Sequence, residues 1–310
     1  MKNPLVLGGA GFIGSNLVER LVALELRPIV FTRSGTSLDR LSHLLDKIDI
    51  VFGDWQDTSI FPKITKNVDT VYHLITTTFP SSVINSCVYD IRSNLVPTIS
   101  LVEACLENNV KQIVYASSGG TIYGNPQFLP ITETHPLVPS SLYGQSKLTI
   151  ENFLSFYERV SPLSLKILRI SNPFGSGQKV LGIQGLIAVS FGCALYNKTI
   201  SIYGKGDNVR DYIYIDDVID AMIAATDYPK SIIANISSGE GKSILDIIKI
   251  AETVSGKTIS KKYCPAREGD VSVNILSNQL AKELLNWEPK SDFYDSMEKT
   301  WQYLCATTKP

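Results

Sequence analysis

The sequence predicts an α/β protein with a doubly wound parallel sheet and a smaller C-terminal lobe. Short apolar strands alternate with helices from the N-terminus to about residue 171, and the first strand ends in a glycine-rich turn that opens a helix. Continuous apolar strands separated by helices indicate a parallel sheet that is covered on both faces. The 310 residues are 44% hydrophobic and 19% charged, an ordinary composition for a globular protein with a core.

Six strands are predicted in the first part of the chain. They cover residues 5–7, 28–31, 48–52, 70–74, 112–115 and 165–170. Apolar residues at helical spacing predict helices over 12–24 and 94–107. Together these elements predict a dinucleotide-binding domain over residues 1–171.

The pattern changes in the last part of the chain. Beyond residue 171, glycines, prolines and isolated strands at 200–203 and 232–236 interrupt the alternation. Helices are predicted over 244–254 and 279–285, and Asp216 and Asp217 are expected to cap the start of another helix. Residues 172–310 are therefore expected to form mainly a substrate-binding lobe, with some segments returning to the main sheet.

Composition argues against several classes of partner. A net charge of −1 gives no basic field for nucleic acid, and no apolar run approaches the ~18 residues that span a bilayer. The glycine-rich turn begins so early that a signal peptide does not fit before it. The five cysteines and three histidines lack metal-ligand spacing, and the cysteines are interpreted as reduced core residues. We therefore expect a cytoplasmic protein with no metal, membrane or nucleic-acid partner.

Gly8, Gly11 and Gly14 lie between the first strand and the first helix. Glycines at such positions allow a tight turn, a close approach of a pyrophosphate to the main chain, and close packing of helix on strand. The helix begins at Phe12 and Ile13, where free N–H groups and the positive dipole end would face the phosphates. This turn predicts a dinucleotide site; the alternative is a tight turn without a ligand.

The end of the second strand bears on which dinucleotide binds. A protein that binds NAD carries Asp or Glu there to hold the ribose 2′-hydroxyl, but this chain has Thr32, Arg33 and Ser34. Arg33 would pair with a 2′-phosphate, and the two hydroxyls would donate to it. These residues favour NADP(H). NAD remains possible, since Arg33 could be a solvated surface arginine.

Tyr143 and Lys147 form a Y-x-x-x-K motif at the start of a predicted helix. The i, i+4 spacing puts both side chains on one helical face, where the lysine ammonium would stabilise a tyrosine phenolate. Tyr143 could then exchange a proton with a sugar hydroxyl or ketone. Ser118 is the expected third member; Thr121 or the loop 76–78 are the alternatives, and a plain polar turn is another interpretation of residues 117–120.

The G-x-x-G-x-x-G spacing resembles that of the extended short-chain dehydrogenases, a Rossmann-fold group, and specifically the NAD(P)-dependent epimerase/dehydratase family. Further motifs carry the likeness along the chain: Gly53-Asp54, His73-Leu74, Asn94, Ser117-Ser-Gly-Gly-Thr-Ile-Tyr-Gly124, Arg169-Ile-Ser-Asn-Pro173, Arg210-Asp-Tyr212 and Arg267-Glu-Gly-Asp270. Within the family, the chain is similar to UDP-glucose 4-epimerases and to nucleotide-sugar 4-ketoreductases. The resemblance implies a nucleotide-diphosphate sugar as the partner and a homodimer formed through two helices.

The resemblance also implies roles for individual residues. Contacts to the cofactor would come from Asp54, Trp55, Leu74 and Asn94 as well as from the glycine turn, the end of the second strand, Tyr143 and Lys147. Contacts to the substrate would come from Thr76, Ser118, Asn172, Tyr203, Arg210, Arg267 and Asp270. Two alternatives stay open: Arg210 and Asp211 could form a local ion pair, and Asn172 could cap a turn.

Two enzyme functions fit these residues. The first is an NADP(H)-dependent reductase of the C4 ketone of a nucleotide-linked 4-keto-6-deoxyhexose, of the dTDP type, for surface-polysaccharide sugar synthesis. The alternative is an NAD-dependent UDP-hexose 4-epimerase of the UDP-glucose/UDP-galactose type. A 4,6-dehydratase is disfavoured because Gly119 and Gly120 carry no acid–base group. A non-catalytic NADP sensor would require that Tyr143 and Lys147 be dispensable.

Overall fold

The computed structural model describes residues 1–79, 87–182, 184–267 and 269–307. The strands are β1 Pro4–Leu7, β2 Ile29–Thr32, β3 Asp49–Phe52, β4 Thr70–His73, β5 Gln112–Ser118, β6 Ser164–Ile170, β7 Asn172–Phe174, β8 Ile200–Tyr203, β9 Val209–Tyr214, β10 Ile232–Ile236, β11 Gly241–Ser243, β12 Lys261–Cys264 and β13 Val273–Asn274. The helices are α1 Phe12–Ala23, α2 Phe61–Ile64, α3 Cys87–Asp90, α4 Val96–Glu107, α5 Leu142–Val160, α6 Leu186–Tyr196, α7 Ile215–Asp227, α8 Ile244–Ser255, α9 Gln279–Leu285 and α10 Phe293–Thr307. None of the helices in these described ranges is long and apolar enough to cross a membrane.

A seven-stranded parallel sheet is the centre of the fold, with strand order β10-β6-β5-β4-β1-β2-β3. β1 pairs with both β2 and β4, so the strand order reverses at β1, as it does in doubly wound dinucleotide-binding folds. The central strands β1 and β4 are fully buried, as expected for inner strands of a parallel sheet, whereas the edge strand β3 is partly exposed. The predicted fold class is confirmed. β10, predicted as a late strand that could return to the main sheet, does so beside β6.

The chain divides into two compact units. The first consists of Met1–Ser118, Leu142–Arg169 and Ile219–Ala234, and the second of Gly119–Ser141, Ile170–Val218 and the chain from Asn235 onward. The sequence predicts a soft boundary after residue 171, with some later segments returning to the main sheet. The two units alternate along the chain, and Ile219–Ala234 from the second half belongs to the first unit.

Several elements differ from the predicted ones. The helix predicted over 94–107 is preceded by α3 and a π-helical turn, Ile91–Leu95, before α4 begins. The helices α6 and α10 were not predicted; α6 is buried on most of its surface, so it lacks the polar face that reveals a surface helix. Asp217 does not cap its own helix. Its carboxylate accepts hydrogen bonds from the N–H groups of Lys290 and Ser291, at 2.9 and 3.3 Å.

The glycine-rich turn between β1 and α1 has no room for side chains. Gly8 has a φ of +82°, and a Cβ on Gly14 would lie 2.2 Å from the carbonyl oxygen of Gly8. The N–H of Gly11 donates to that same oxygen at 2.9 Å and closes the turn. The turn therefore depends on glycine at both ends: Gly8 for its left-handed conformation and Gly14 for close packing of α1 against the strand.

We expect Gly14→Ala to destabilise the protein, because the new Cβ meets main-chain atoms that cannot rotate away. Overpacking of this kind costs about 1–3 kcal/mol in the free energy of unfolding, which urea denaturation monitored by circular dichroism would measure. Gly120→Ala is the matched control, since its nearest neighbour would be the Asn172 side chain at 3.8 Å. Equal stability of the two variants would contradict the tight packing of this turn.

Candidate active site

Tyr143 and Lys147 lie in the first turns of α5 in the first unit, where Lys147 is buried and Tyr143 is partly buried. The Lys147 ammonium donates to the carbonyl oxygen of Ala116 on β5, at 2.8 Å. It lies 4.7 Å from the centre of the Tyr115 ring and 5.8 Å from the centre of the Tyr143 ring. The structure therefore brings the two predicted residues onto one helical face and fixes the lysine against the neighbouring strand.

Burial changes the proton affinity of both residues. It raises the pKa of Tyr143 to about 12, while a hydrogen bond with the Ser118 side chain acts in the opposite direction. It lowers the pKa of Lys147 to about 8, against the attraction of the Glu151 and Asp90 carboxylates, which raises it. Tyr143 therefore keeps its proton in the free protein. To lose the proton near neutral pH, its phenolate would have to be stabilised by a neighbouring positive charge.

Of the two serines at the end of β5, Ser118 is the one that reaches Tyr143. Neighbouring side chains on a strand point to opposite faces. Accordingly, the hydroxyl of Ser117 donates to the carboxylate of Glu151, whereas Ser118 shares a hydrogen bond with Tyr143. The hydroxyl of Thr76, one of the alternatives, donates to the carbonyl oxygen of Thr78 at 3.1 Å. Thr121, the other alternative, belongs to the second unit.

The predicted cofactor residues at the carboxyl end of β2 differ in their exposure to solvent. Thr32 is buried at the strand end, and Arg33 and Ser34 are exposed. The N–H of Thr36 donates to the carbonyl of Arg33 at 3.1 Å and closes a turn in which Gly35 has a φ of +78°. The turn carries a positive side chain and hydroxyls, and β2 supplies no carboxylate to it.

Three other predicted cofactor residues have structural partners. The carboxylate of the exposed Asp54 accepts the N–H of Gln56 at 2.9 Å, and the N–H of Leu74 donates to Leu7 at 3.2 Å, extending the β1–β4 pairing. The buried Asn94 accepts the N–H of Thr77 at 2.9 Å and donates to Asp90 at 3.0 Å. Asn94 therefore shapes the loop that follows β4.

Trp55, a fourth predicted cofactor residue, has its side chain in the core. Its side chain is 3% exposed and packs against Phe61 and His73, with ring centres 5.1 and 4.9 Å apart. Trp55 stays a predicted cofactor residue, although its ring is packed in the core. The sequence did not reveal this burial, because tryptophan follows a polar Gly-Asp turn.

The glycine turn fits the pyrophosphate of a dinucleotide. The first residue before α1 is Gly11, which is exposed and supplies no side chain to cap the helix N-terminus. The first N–H groups of α1, at Phe12 and Ile13, therefore have no side-chain acceptor at the cap and are oriented as in other phosphate-binding helix starts. These residues would hold the pyrophosphate, and Thr32, Arg33 and Ser34 would hold the adenosine ribose.

Two buried acidic residues near Lys147 were missed by the sequence analysis. Glu151 accepts hydrogen bonds from Ser117 and Arg169, and Asp90 accepts them from Thr78 and Asn94. A signal existed for Glu151, which lies four residues after Lys147 on the same helical face. No comparable signal existed for Asp90, because the sequence alone does not show that it faces inward.

Predicted substrate residues of the second unit form two contacts. Arg210 and Asp270 form an ion pair with a nitrogen–oxygen distance of 2.6 Å, and the Arg267 guanidinium lies 3.7 Å from the centre of the Tyr203 ring. Asn172 and Arg210 line the same pocket, of about 200 Å³, together with Phe174, Gln178, Leu186 and Tyr212. Glu268, in the motif that ends at Asp270, lies outside the described residues.

Asp211 is not the ion-pair partner of Arg210. Its carboxylate is fully buried and accepts the N–H groups of Ser238, Gly239 and Leu276 at 2.9–3.3 Å. Burial raises the pKa of Asp211 to about 6, in opposition to these hydrogen bonds. Asn172 caps no turn in this arrangement; its amide donates to the carbonyl of Asp211 at 2.8 Å, beside the β7–β9 pairing. Arg210 is thereby left to pair with Asp270.

The uncapped glycine turn and the Ser-Tyr-Lys group define a nicotinamide-dependent enzyme of the extended short-chain dehydrogenase class. The chain belongs to the NAD dependent epimerase/dehydratase family, whose family model matches residues 4–237. The predicted family and the prediction that the protein is an enzyme of this class are confirmed.

Similar proteins span nearly the whole chain. A putative UDP-glucose 4-epimerase of Methanocaldococcus jannaschii is 32% identical over 97% of both chains. A dTDP-4-dehydro-6-deoxyglucose reductase of Escherichia coli is 32% identical over 95% of both. The crystal structure of a Thermotoga maritima UDP-glucose 4-epimerase with UDP-glucose has a TM-score of 0.93 and 31% identity, and the match covers 98% of this chain and 99% of that one.

Replacement of Tyr143 by Phe removes the proton-transferring hydroxyl and keeps the ring. We expect kcat to fall about 10²–10⁴-fold, the usual contribution of a positioned general acid or base. The affinity for the nicotinamide cofactor, measured by fluorescence titration, is expected to stay unchanged because the ring remains. Turnover near that of the wild type would remove Tyr143 from the proposed role.

Ser118→Ala should lower kcat more than Thr76→Ala does. A hydroxyl that donates to a developing alkoxide contributes about 3 kcal/mol, whereas the Thr76 hydroxyl is engaged with the main chain of its own loop. Steady-state kinetics of the two variants, with folding checked by circular dichroism, would compare them. A larger effect of Thr76→Ala would show that the loop after β4 supplies the hydroxyl.

Proposed function

We propose that the protein is an NADP(H)-dependent reductase of nucleotide-linked 4-keto-6-deoxyhexoses, of the dTDP type, that serves the synthesis of surface-polysaccharide sugars. The observation that carries the proposal is the end of β2, where Arg33 and Ser34 are exposed beside the Thr32 hydroxyl. A reductase uses its cofactor once per turnover and must exchange it. NADPH is the usual source of hydride for such biosynthetic reductions, so selectivity for it and this activity fit together.

The charge at this turn supports the choice of cofactor. An Asp or Glu at the end of β2 would repel a 2′-phosphate, whereas a guanidinium forms a charge-assisted hydrogen bond with it. Asp54 follows the neighbouring strand β3, and its carboxylate accepts a hydrogen bond from the N–H of Gln56. The 32% identical reductase of Escherichia coli supports the reaction class independently of this turn.

Bound NADPH would supply the hydride that reduces the C4 carbon of the sugar. The Tyr143 hydroxyl would donate its proton to the C4 oxygen as the C–H bond forms, which converts the ketone into an alcohol. Ser118 would donate a hydrogen bond to the same oxygen. The Lys147 ammonium would stabilise the phenolate that remains until a solvent proton restores it.

The second unit would bind the nucleotide diphosphate. Arginines suit this task because their planar forks match phosphate oxygens. We propose that Arg210 and Arg267 bind the phosphates, that Asn172 adds an amide contact and that Asp270 reaches the ribose. Tyr203 would contact the base. Arg210 already pairs with a carboxylate, that of Asp270, and we propose that a phosphate of the ligand takes the place of this carboxylate.

A UDP-hexose 4-epimerase is the second candidate, and the comparisons favour it. Most of the similar proteins bear the name UDP-glucose 4-epimerase, and the family is described as NAD dependent. The same Tyr143 would then take the proton from the C4 hydroxyl and later return it. Epimerisation ends without net oxidation, so a tightly held NAD fits it. Cytoplasmic location and a homodimer stay predictions for either activity.

Cofactor preference separates the two candidates. If Arg33 binds a 2′-phosphate, Arg33→Ala should raise the KM for NADPH about ten- to hundredfold, because hydrogen bonds to charged groups contribute about 1.5–3 kcal/mol. The KM for NADH should stay nearly unchanged. Thr32→Asp should invert the preference, since its carboxylate binds a 2′-hydroxyl and repels a phosphate.

The measurement is kcat/KM for NADPH and NADH in the wild type and both variants, with a dTDP-4-keto-6-deoxyhexose as substrate. Arg27→Ala is a matched control, because this exposed arginine, just before β2, pairs with Asp49 instead. A wild type that prefers NADH, or retains NAD through purification and interconverts UDP-hexoses, would overturn the reductase and support the epimerase.

A further inference from the structure

Glu151 is a third polar residue on the face of α5 that carries Tyr143 and Lys147. The three residues follow one another at intervals of four, so they lie in one row along the helix. Glu151 is 2% exposed and reaches no solvent. A carboxylate in such a place is retained only where partners compensate for the loss of water.

The partners of Glu151 come from two neighbouring strands. Ser117 on β5 donates its hydroxyl to one carboxylate oxygen. Arg169 on β6 donates to the other through a terminal nitrogen at 2.8 Å and through Nε at 3.2 Å, and is itself 3% exposed. Glu151 thus fastens α5 to β5 and β6 one helical turn beyond Lys147.

These contacts bear on both partners of Tyr143. Ser117 immediately precedes Ser118, so the bond to Glu151 fixes the peptide and strand end from which the Ser118 side chain reaches Tyr143. On the helix side, the Glu151 carboxylate attracts the buried Lys147 ammonium and raises its pKa, against the effect of desolvation.

We propose that Glu151 is a positioning residue of the active site: through Ser117 it orients Ser118, and through its charge it keeps Lys147 protonated beside Tyr143. The inference rests on the proposed roles of Tyr143, Lys147 and Ser118, and it holds for a reductase and for an epimerase alike. Arg169 makes the burial of Glu151 possible, because its guanidinium pairs with the Glu151 carboxylate.

Other ionisable groups also face Lys147. Asp90 acts in the same direction as Glu151, but to a smaller extent, while Tyr115 presents its ring and Tyr143 its own phenol. His73, on β4, is neutral, because burial and the Lys147 charge lower its pKa to about 3. Glu151 is therefore the strongest charge that favours the ammonium form.

Glu151→Gln keeps the size of the side chain and removes its charge. We expect kcat to fall about ten- to hundredfold, since small displacements of catalytic groups have effects of this size, while the KM for the nicotinamide cofactor stays unchanged. Loss of the carboxylate lowers the pKa of Lys147. The alkaline limb of the kcat–pH profile should therefore move to lower pH by about one unit.

A second readout needs neither substrate nor cofactor. The ε-carbon of lysine, followed by NMR in protein labelled with [6-13C]lysine, reports the ionisation of Lys147 directly, and Lys147→Arg assigns its signal. The midpoint of this titration should fall by about one pH unit in Glu151→Gln. If the wild type turns over no nucleotide sugar, the proposed function fails, yet this titration still tests the effect of Glu151 on Lys147.

Two variants separate positioning from folding. Glu158→Gln, on an exposed site of the same helix, should change neither kcat nor the titration of Lys147. In Glu151→Gln combined with Arg169→Gln, the guanidinium that would lose its partner is also removed, so stability should recover relative to the single variant while kcat stays lowered. Recovery of kcat along with stability, or a Lys147 midpoint in Glu151→Gln equal to that of the wild type, would overturn the proposal.

Discussion

A buried lysine is the constraint on which the proposed active site depends. In the proposed role, Lys147 keeps an ammonium beside Tyr143 although burial disfavours that charge. The surrounding elements compensate: β5 offers the carbonyl of Ala116 and the face of Tyr115, and Glu151 and Asp90 contribute negative charge. Each of these groups in turn needs its own partner, which explains the buried pair of Glu151 with Arg169 and the hydrogen bonds of Asp90. Lys147 and Arg169 are thus buried cations whose partners include the same carboxylate, that of Glu151.

A different physical principle governs the cofactor end. The glycine turn would bind a cofactor through main-chain groups and a helix dipole, which recognise a pyrophosphate but cannot distinguish one dinucleotide from another. Selectivity would therefore depend on the few side chains at the end of β2. Arg33 and Ser34 are exposed, whereas Thr32 is buried at the strand end. We expect a change of one or two residues there to alter the preference between NAD and NADP.

In the second unit, charged residues are sorted by burial. Asp211 is fully buried and serves the main chain, where its three N–H donors hold the strand ends and loops around β9. Its sequence neighbour Arg210 points the other way, as strand alternation requires, and forms a partly exposed pair with Asp270. The adjacent residues Arg210 and Asp211 therefore have different partners: Asp211 binds main-chain N–H groups and Arg210 binds the Asp270 carboxylate. The exposed pair is the one whose partners a charged ligand can exchange.

The sequence by itself determined the strands of the main sheet to within a few residues, the glycine turn, the Tyr143–Lys147 row and the family. These features are local: hydrophobic runs, glycine conformations and helical spacing are properties of short segments. The sequence could not determine the burial of Trp55, the partner of Arg210, or the site of Glu151 between β5 and β6. Each of these depends on which face of an element meets which neighbour, often across many residues of chain. Only the tertiary structure decided them, because burial and pairing are set by the packing of distant segments and not by the residues next in sequence.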